Sequence, residues 1–388
     1  MATRATRYRD VFAPVLGLLL FSSGVTAQET RGYVIGWFAT ATADYDDYKK
    51  NCTTGRNGGG FELRIRNLME IGYTKEQALD IVNGNVDNTD QDIGNRIAYR
   101  ATVAGKPASA ANYPEAVPDP DIETVTGEHA YGFDLGGVDK DNKFIDPQTG
   151  GSVDNQLWRA VGCTESFRAT PPEQPYPEEL AWATLIDSSP GWSVRITGQD
   201  LSKDGKVTVT LNRLLQHLER DATGKVMSHM TYAIDPSPRS HNTFEGALKN
   251  GVITITPGKR LYLEAEHPFY MDISLRNTHM RLKMEEDGRL TGLWGGYINW
   301  KEFAYMFTSR PANGADYIGI YYALKKMADA APDPATGQNT EISTAFRMVG
   351  TPAYLADSDG KIVAVPPASK ASSQLAVAGN DASSPVRQ

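Results

Sequence analysis

A glycine-rich stretch between residues 123 and 163 holds a run of acidic side chains. Four of its aspartates are the ligands that we predict for a bound cation, namely Asp134, Asp139, Asp141 and Asp154. Alternating carboxylates in such a segment suit Ca²⁺, which takes about six to eight oxygen ligands in irregular geometry. The spacing is not that of an EF-hand, because the sixth loop position lacks glycine and the twelfth lacks glutamate. The alternative is a solvated turn in which Asp and Asn side chains bond their own backbone.

A second group of ionisable side chains surrounds a predicted strand end, at Glu264, Glu266, His267 and Asp272. Paired carboxylates beside an imidazole could perform acid–base chemistry on a glycoside or an ester. The alternative is a polar strand face that ends in a turn at Pro268. Aromatic side chains elsewhere could form a platform for sugar rings or pack in the core. They are Trp158, Trp182, Trp192, Trp294, Tyr297 and Trp300.

Other enzyme motifs are absent from the sequence. Its six histidines show neither H-x-H nor H-E-x-x-H spacing, so a zinc hydrolase has little support. There is no G-x-S-x-G nucleophile motif, and no Walker lysine follows the glycine-rich residues 55–60. The formal net charge of -8 argues against nucleic acid as a partner. We expect no nucleotide or haem cofactor.

Residues 1–27 have the three parts of a secretory signal peptide. Arg4, Arg7 and Arg9 precede a short apolar run, and Val25-Thr26-Ala27 supplies small residues at the cleavage positions. The run is too short to cross a bilayer as a helix, so we expect no membrane span in the mature chain. The protein is therefore predicted to be periplasmic or secreted. The alternative is an N-terminal membrane anchor.

The chain has two cysteines, Cys52 and Cys163. In an oxidising compartment two cysteines most often pair, so we predict one disulfide between them. The alternative is two free thiols. The absence of C-x-x-C and C-x-x-C-H motifs argues against a redox role and against covalent haem.

The hydrophobic patterning predicts an α+β fold: an antiparallel β-sandwich or partial barrel, with an N-terminal helical or irregular region and a C-terminal helix. A helix over residues 61–71 is followed by Thr74-Lys75-Glu76-Gln77, a capping box that begins a second helix. After residue 190 apolar and polar residues alternate, and Glu286-Asp287-Gly288 indicates a hairpin turn. We therefore predict a signal peptide over 1–27, a helical or irregular region over 28–167, a β domain with its closing helix over 181–350, and a disordered tail over 355–388.

The glycine-rich stretch also carries a longer pattern of residues. It consists of Gly132-Phe133-Asp134-Leu135-Gly136-Gly137, then Gly151-Ser152-Val153-Asp154-Asn155-Gln156-Leu157, then Gly162-Cys163. This pattern resembles a group of exported proteobacterial proteins with G-x-D-L-D-G, G-[IV]-D-N-Q-L and G-C motifs. The resemblance implies an envelope location in a Gram-negative bacterium and implies no particular reaction. Gly136-Gly137 stands where the group often has Asp-Gly, which removes one oxygen ligand from the predicted calcium site.

These features favour an exported, non-catalytic binding or structural component of the cell envelope, stabilised by Ca²⁺. Its expected partner is an extracytoplasmic protein or a glycan. The alternative is a hydrolase that acts on an extracellular polymer, using carboxylates near Glu266 and His267. Two close carboxylates in a cleft would favour the enzyme, whereas a cation in the aspartate-rich loop would favour the binding protein.

Overall fold

Eight antiparallel strands close into a barrel, which is the main element of the fold. The computed structural model describes residues 28–41, 48–54, 57, 60–86, 100–110, 112–136, 143–164, 167, 186–187, 189–265, 272–308 and 316–367. The strands are β1 (Glu29–Thr40), β2 (Arg100–Val103), β3 (Lys106–Ser109), β4 (Phe144–Ile145), β5 (Ser152–Val153), β6 (Trp192–Gly198), β7 (Gly205–Arg213), β8 (Thr231–Ala233), β9 (His241–Lys249), β10 (Val252–Ile255), β11 (Leu261–Leu263), β12 (Ile273–Met284), β13 (Leu290–Asn299), β14 (Ala330–Pro332), β15 (Asn339–Pro352), β16 (Tyr354–Ala356) and β17 (Ile362–Ala364). The helices are α1 (Tyr48–Asn51), α2 (Gly60–Glu70), α3 (Lys75–Asn83), α4 (Gln156–Val161), α5 (Trp300–Thr308) and α6 (Tyr317–Met327).

The barrel strands follow the order β1, β6, β7, β9, β10, β12, β13 and β15, and β15 pairs with β1 to complete the circle. Alternation along each strand fills the interior: Val194 and Ile196 belong to the core, while Arg195 between them is half-buried on the outer face. Phe38 stacks on Phe346 inside the barrel, with ring centroids 5.0 Å apart. The predicted fold class is confirmed, and the barrel is closed rather than partial.

The first barrel strand lies inside the region that we predicted to be helical or irregular. Tyr33, Val34 and Ile35 of β1 are all fully buried, so the strand shows no alternation in its burial. Val34 points out of the barrel and is nevertheless buried, because a small sheet of β17, β16 and β8 packs against the outer face of β1. Tyr232 and Leu355 of this small sheet belong to the same hydrophobic cluster as Val34. The prediction of a disordered tail from residue 355 is wrong for the first part of that range, because β16 and β17 lie there. Residues 368–388 lie outside the described residues.

The predicted helix pair and the predicted C-terminal helix are present as α2, α3 and α6, whereas α1, α4 and α5 were not predicted from the sequence. Thr74 and Gln77 form the predicted capping box of α3, with Gln77 N donating to Thr74 Oγ1 at 3.2 Å and Thr74 N donating to Gln77 Oε1 at 2.9 Å. Near the C-terminus, Phe303 of α5 and Ile320 of α6 join the barrel core. No helix in the described part of the chain is both long enough and apolar enough to cross a membrane.

Residues 123–136 and 143–164, here called the cover, lie on the outer face of the barrel. The predicted disulfide is present and joins α1's end to the end of the cover, with Cα atoms of Cys52 and Cys163 5.6 Å apart. Asn155 begins α4, accepts from Trp158 N at 3.0 Å and donates to the carbonyl of Tyr131 at 2.8 Å. Phe133 of the cover packs against Gly295 of β13, which has no side chain and so leaves room for the Phe133 ring. The cover therefore packs over one part of the outer barrel surface, and the edge of the cover rises above the part that stays uncovered.

Candidate functional site

A groove of ≈ 420 Å³ runs along the outer face of the barrel beside the edge of the cover. The strand register arranges the barrel side chains there in two rows. The first row contains Ala39, Arg347, Leu293 and Arg281, in register on β1, β15, β13 and β12. The second contains Trp37, Val349, Thr291, Lys283 and Val252, in register on β1, β15, β13, β12 and β10. Tyr131 and Gln148 of the cover form the opposite wall.

Arg347 is the residue that distinguishes this groove. Its guanidinium carbon lies 5.6 Å from the ring centroid of Trp37 and 5.9 Å from that of Tyr131. The side chain is half-buried, and its Nε is buried with no hydrogen-bond partner. Within the described residues, no carboxylate forms an ion pair with it. A partly desolvated guanidinium between two aromatic rings is a ready receptor for an anion.

The other two cations of the groove are already compensated. Arg281 donates to the fully buried Asp146 at 2.7 Å and to Gln148 Oε1 at 3.1 Å. Lys283 donates to Glu285 at 2.8 Å. These two pairs are each neutral, so among the described residues of the groove Arg347 contributes one uncompensated positive charge, on a protein whose net charge is -8.

Glu285 gives the groove a fixed acceptor at its far end. Its carboxylate accepts from Lys283 and, at 2.6 Å, from the hydroxyl of Thr291. The hydrogen bond from Lys283 is the main reason that the pKa of Glu285 is lowered, and the one from Thr291 adds to it. The carboxylate is therefore ionised at neutral pH and can accept a further hydrogen bond.

The predicted calcium ligands have a lysine between them. Lys143 Nζ lies 2.6 Å from Asp134 Oδ1 and 3.7 Å from Asp154 Oδ2. The hydrogen bond from Lys143 is the largest cause of the lowered pKa of Asp134. Among the described residues, no three His, Cys, Asp or Glu side chains form a group that could hold a metal ion. Asp139 and Asp141 lie outside the described residues, so the calcium site stays a prediction.

The two predicted acid–base residues that the structure describes, Glu264 and Asp272, do not line the groove. Glu264 is 3.4 Å from Arg213 Nη1 and 3.9 Å from Arg239 Nη1. Asp272 accepts from the hydroxyl of Tyr262 and from the backbone N of Ala265. Burial, reinforced by Asp272, raises the pKa of Tyr262 to about 12. Both described carboxylates thus have structural partners, and Glu266 and His267 lie outside the described residues.

Sequence reasoning missed the three side chains that define the groove: Trp37, Tyr131 and Arg347. The aromatic residues considered from the sequence include Trp158 and Trp294, which are fully buried, and Trp192, Tyr297 and Trp300, which are nearly so. Trp182 is outside the described residues. One signal was available: Arg347 is a lone cation in an otherwise uncharged run between Glu341 and Asp357.

The fold and the groove define this protein structurally as a closed eight-stranded antiparallel barrel with a disulfide-linked cover and a groove, lined by Arg347, at the edge of that cover. No family model, no curated protein and no solved structure matches the chain.

Proposed function

We propose that this protein is an exported, non-catalytic binding protein of the cell envelope, and that the groove beside Arg347 receives the anionic part of its ligand. The observation that carries the proposal is the half-buried guanidinium of Arg347, which lies beside two aromatic rings and has no carboxylate partner among the described residues. The groove's volume of ≈ 420 Å³ is in the range of small-molecule sites.

The electrostatic cost at Arg347 supports a ligand rather than a structural role. Partial burial of a charge without a counterion destabilises the folded protein. Contact with aromatic faces offsets about 0.5–1 kcal/mol per ring at partly exposed sites. A bound carboxylate, phosphate or sulfate would pair with the guanidinium in a planar, two-point contact and remove the remaining cost.

Export and calcium binding belong to the same proposal. The basic and apolar character of residues 1–27 supports export, and a disulfide in the mature region suits an oxidising compartment. The calcium ligands in this proposal remain Asp134, Asp139, Asp141 and Asp154, and a bound Ca²⁺ would replace the ammonium group of Lys143 beside Asp134 and Asp154. Its role would be to stabilise the cover and hence the wall that holds Tyr131.

Calorimetric titration with a panel of anions tests the proposal: benzoate, glucuronate, inorganic phosphate and sulfate, each beside a neutral analogue where one exists. At least one anion should bind, and Arg347→Gln should weaken that binding tenfold or more. Arg195→Gln is the matched control, because Arg195 is another half-buried, outward-facing arginine that forms no ion pair within the described residues and does not line the groove. Absence of any binding, or an equal loss in both variants, would overturn the assignment.

A further inference from the structure

We infer that the ligand of this groove is an acidic saccharide, a short chain of sugars in which one carboxylate pairs with Arg347. The inference rests on the proposed function, since it names the ligand class of the same groove. Three observations carry it: the length of the groove, the order of chemical groups along it, and the closure of the barrel beneath it.

The groove is longer than one sugar ring. Its lining residues come from five adjacent strands, from Trp37 on β1 to Val252 on β10. Neighbouring strands are about 4.8 Å apart, so four spacings give a length of about 19 Å. A chain of several sugar units therefore fits this length better than a single small anion.

The chemical groups along the groove match a sugar chain with an acid group near one end. Trp37 and Tyr131 flank the cation at the first end, and the ring of the half-buried Trp37 can pack on the apolar face of a sugar ring. Leu293 and Val349 form an apolar floor beside Arg347 and Trp37. Glu285, Thr291 and Gln148 supply hydrogen-bond groups toward the far end.

Glu285 makes the groove more suitable for a saccharide with one negative group than for an ion with several negative charges. Its ionised carboxylate can accept a hydrogen bond from a sugar hydroxyl, whereas it would repel the additional charges of a polyphosphate or a second carboxylate. The groove therefore combines one site for a negative group with one site that requires a hydrogen-bond donor. A polyhydroxylated monoanion satisfies both conditions.

Barrel closure excludes an extended peptide that adds as a strand. Under the groove, β15 pairs with β1 and β13, and β12 pairs with β13 and β10. The backbone hydrogen bonds of these strands are thus used within the barrel, so strand addition has no edge there. The ligand must be recognised by side chains, as sugars are.

Titration with matched tetrasaccharides tests the inference. We would use tetrasaccharides in which one terminal glucuronate, galacturonate or mannuronate is joined to three neutral sugars, the same tetramers with that single carboxylate reduced to an alcohol, and the three acidic monosaccharides. At least one acidic tetramer should bind at least tenfold more tightly than its neutral counterpart and than its monomer. Arg347→Gln should remove this binding. Glu285→Gln should lower the affinity for the acidic tetramer and should leave the affinity for benzoate unchanged or raise it.

The outcomes separate the two proposals. If benzoate, phosphate or sulfate binds through Arg347 but no acidic tetramer binds more tightly than its monomer, the saccharide inference fails and the anion site stands. Equal binding of acidic and neutral tetramers would also overturn the inference. If no probe binds in a manner that depends on Arg347, both proposals fail.

Discussion

At the residue scale, two arginines in the same row of the barrel wall have opposite surroundings. Arg281 pairs with Asp146, which is fully buried and also accepts from the backbone of its own turn. Arg347, two strands away in register, contacts aromatic rings and no carboxylate of the described residues. This difference in charge compensation supports a structural role for Arg281 and the ligand-binding role that we propose for Arg347.

This contrast predicts different effects of the same substitution. Arg281→Gln leaves the buried carboxylate of Asp146 without its cation and should lower the free energy of unfolding by about 2–4 kcal/mol. Arg347→Gln removes an uncompensated charge and should leave this free energy unchanged or raise it slightly. Urea denaturation of both variants checks the pair of expectations. A larger loss in Arg347→Gln than in Arg281→Gln would show that Arg347 is structural.

Asp329 gives a prediction with a definite pH dependence. Burial raises its pKa from 3.8 to about 6, although Ser343 N donates to its carboxylate at 2.7 Å. A raised pKa means that this group favours folding most below pH 3.8, and that the contribution is lost as pH rises through about 6. Asp329→Asn retains an acceptor and avoids the ionisation, so it should stabilise the protein by about 1–2 kcal/mol above pH 7.

Denaturation of Asp329→Asn and wild type across this pH range measures the effect. The advantage of the variant should shrink toward zero near pH 4, where the wild-type carboxyl is protonated in the folded state. A constant difference at every pH would mean that the carboxyl does not titrate as described.

At the element scale, the cover is held on the barrel by close packing at glycine. A Cβ at Gly295 would lie 2.4 Å from Cδ2 of Phe133, so any larger residue must displace this ring, and we expect the cover segment that carries the ring to shift with it. Because Tyr131 belongs to the same segment, this displacement would also widen the groove. The position of the cover therefore connects packing on β13 with the geometry of the binding site.

Gly295→Ala should lower the free energy of unfolding by about 1–3 kcal/mol, because the added methyl group overpacks the contact with Phe133. It should also weaken anion binding. The matched control is Gly205→Ala on β7, where the nearest atom to a new Cβ is 4.0 Å away. Denaturation and titration of both variants give the comparison, and equal behaviour would argue that the cover does not depend on this contact.

Elements with a local signal could be predicted from the sequence, whereas those set by distant contacts could not. The capping box at Thr74 and the hairpin before β13 involve neighbours in the chain. β1 was missed because its outer face is covered by β16 and β17, which hide its period of two. The groove was missed because Trp37 and Arg347 meet only when β1 pairs with β15.

At the scale of the whole molecule, one covalent link ties α1 and the cover together across a long stretch of chain. Cys52 and Cys163 are separated by 111 residues, and both sulfurs are buried. A loop of this length restricts the unfolded chain strongly, which favours the folded state by about 4–5 kcal/mol in the chain-entropy model.

Replacement of both cysteines by serine should therefore lower the free energy of unfolding by about 2–5 kcal/mol. The double variant avoids an unpaired thiol that would complicate the measurement. Urea denaturation checks the loss, and the wild type treated with reductant serves as the chemical control. Identical denaturation of all three samples would mean that the disulfide does not contribute to stability.

The most direct test of the central claim is a thermal melt of wild type and Arg347→Gln, each with and without the tightest-binding acidic tetrasaccharide. A ligand that binds only the folded state raises the midpoint, by an amount equivalent to about 2.7 kcal/mol at a hundredfold excess over its Kd. We predict that the variant alone melts at or above the wild type and that the ligand raises only the wild-type midpoint. A lower midpoint for the free variant, or an equal rise in both proteins, would contradict the account.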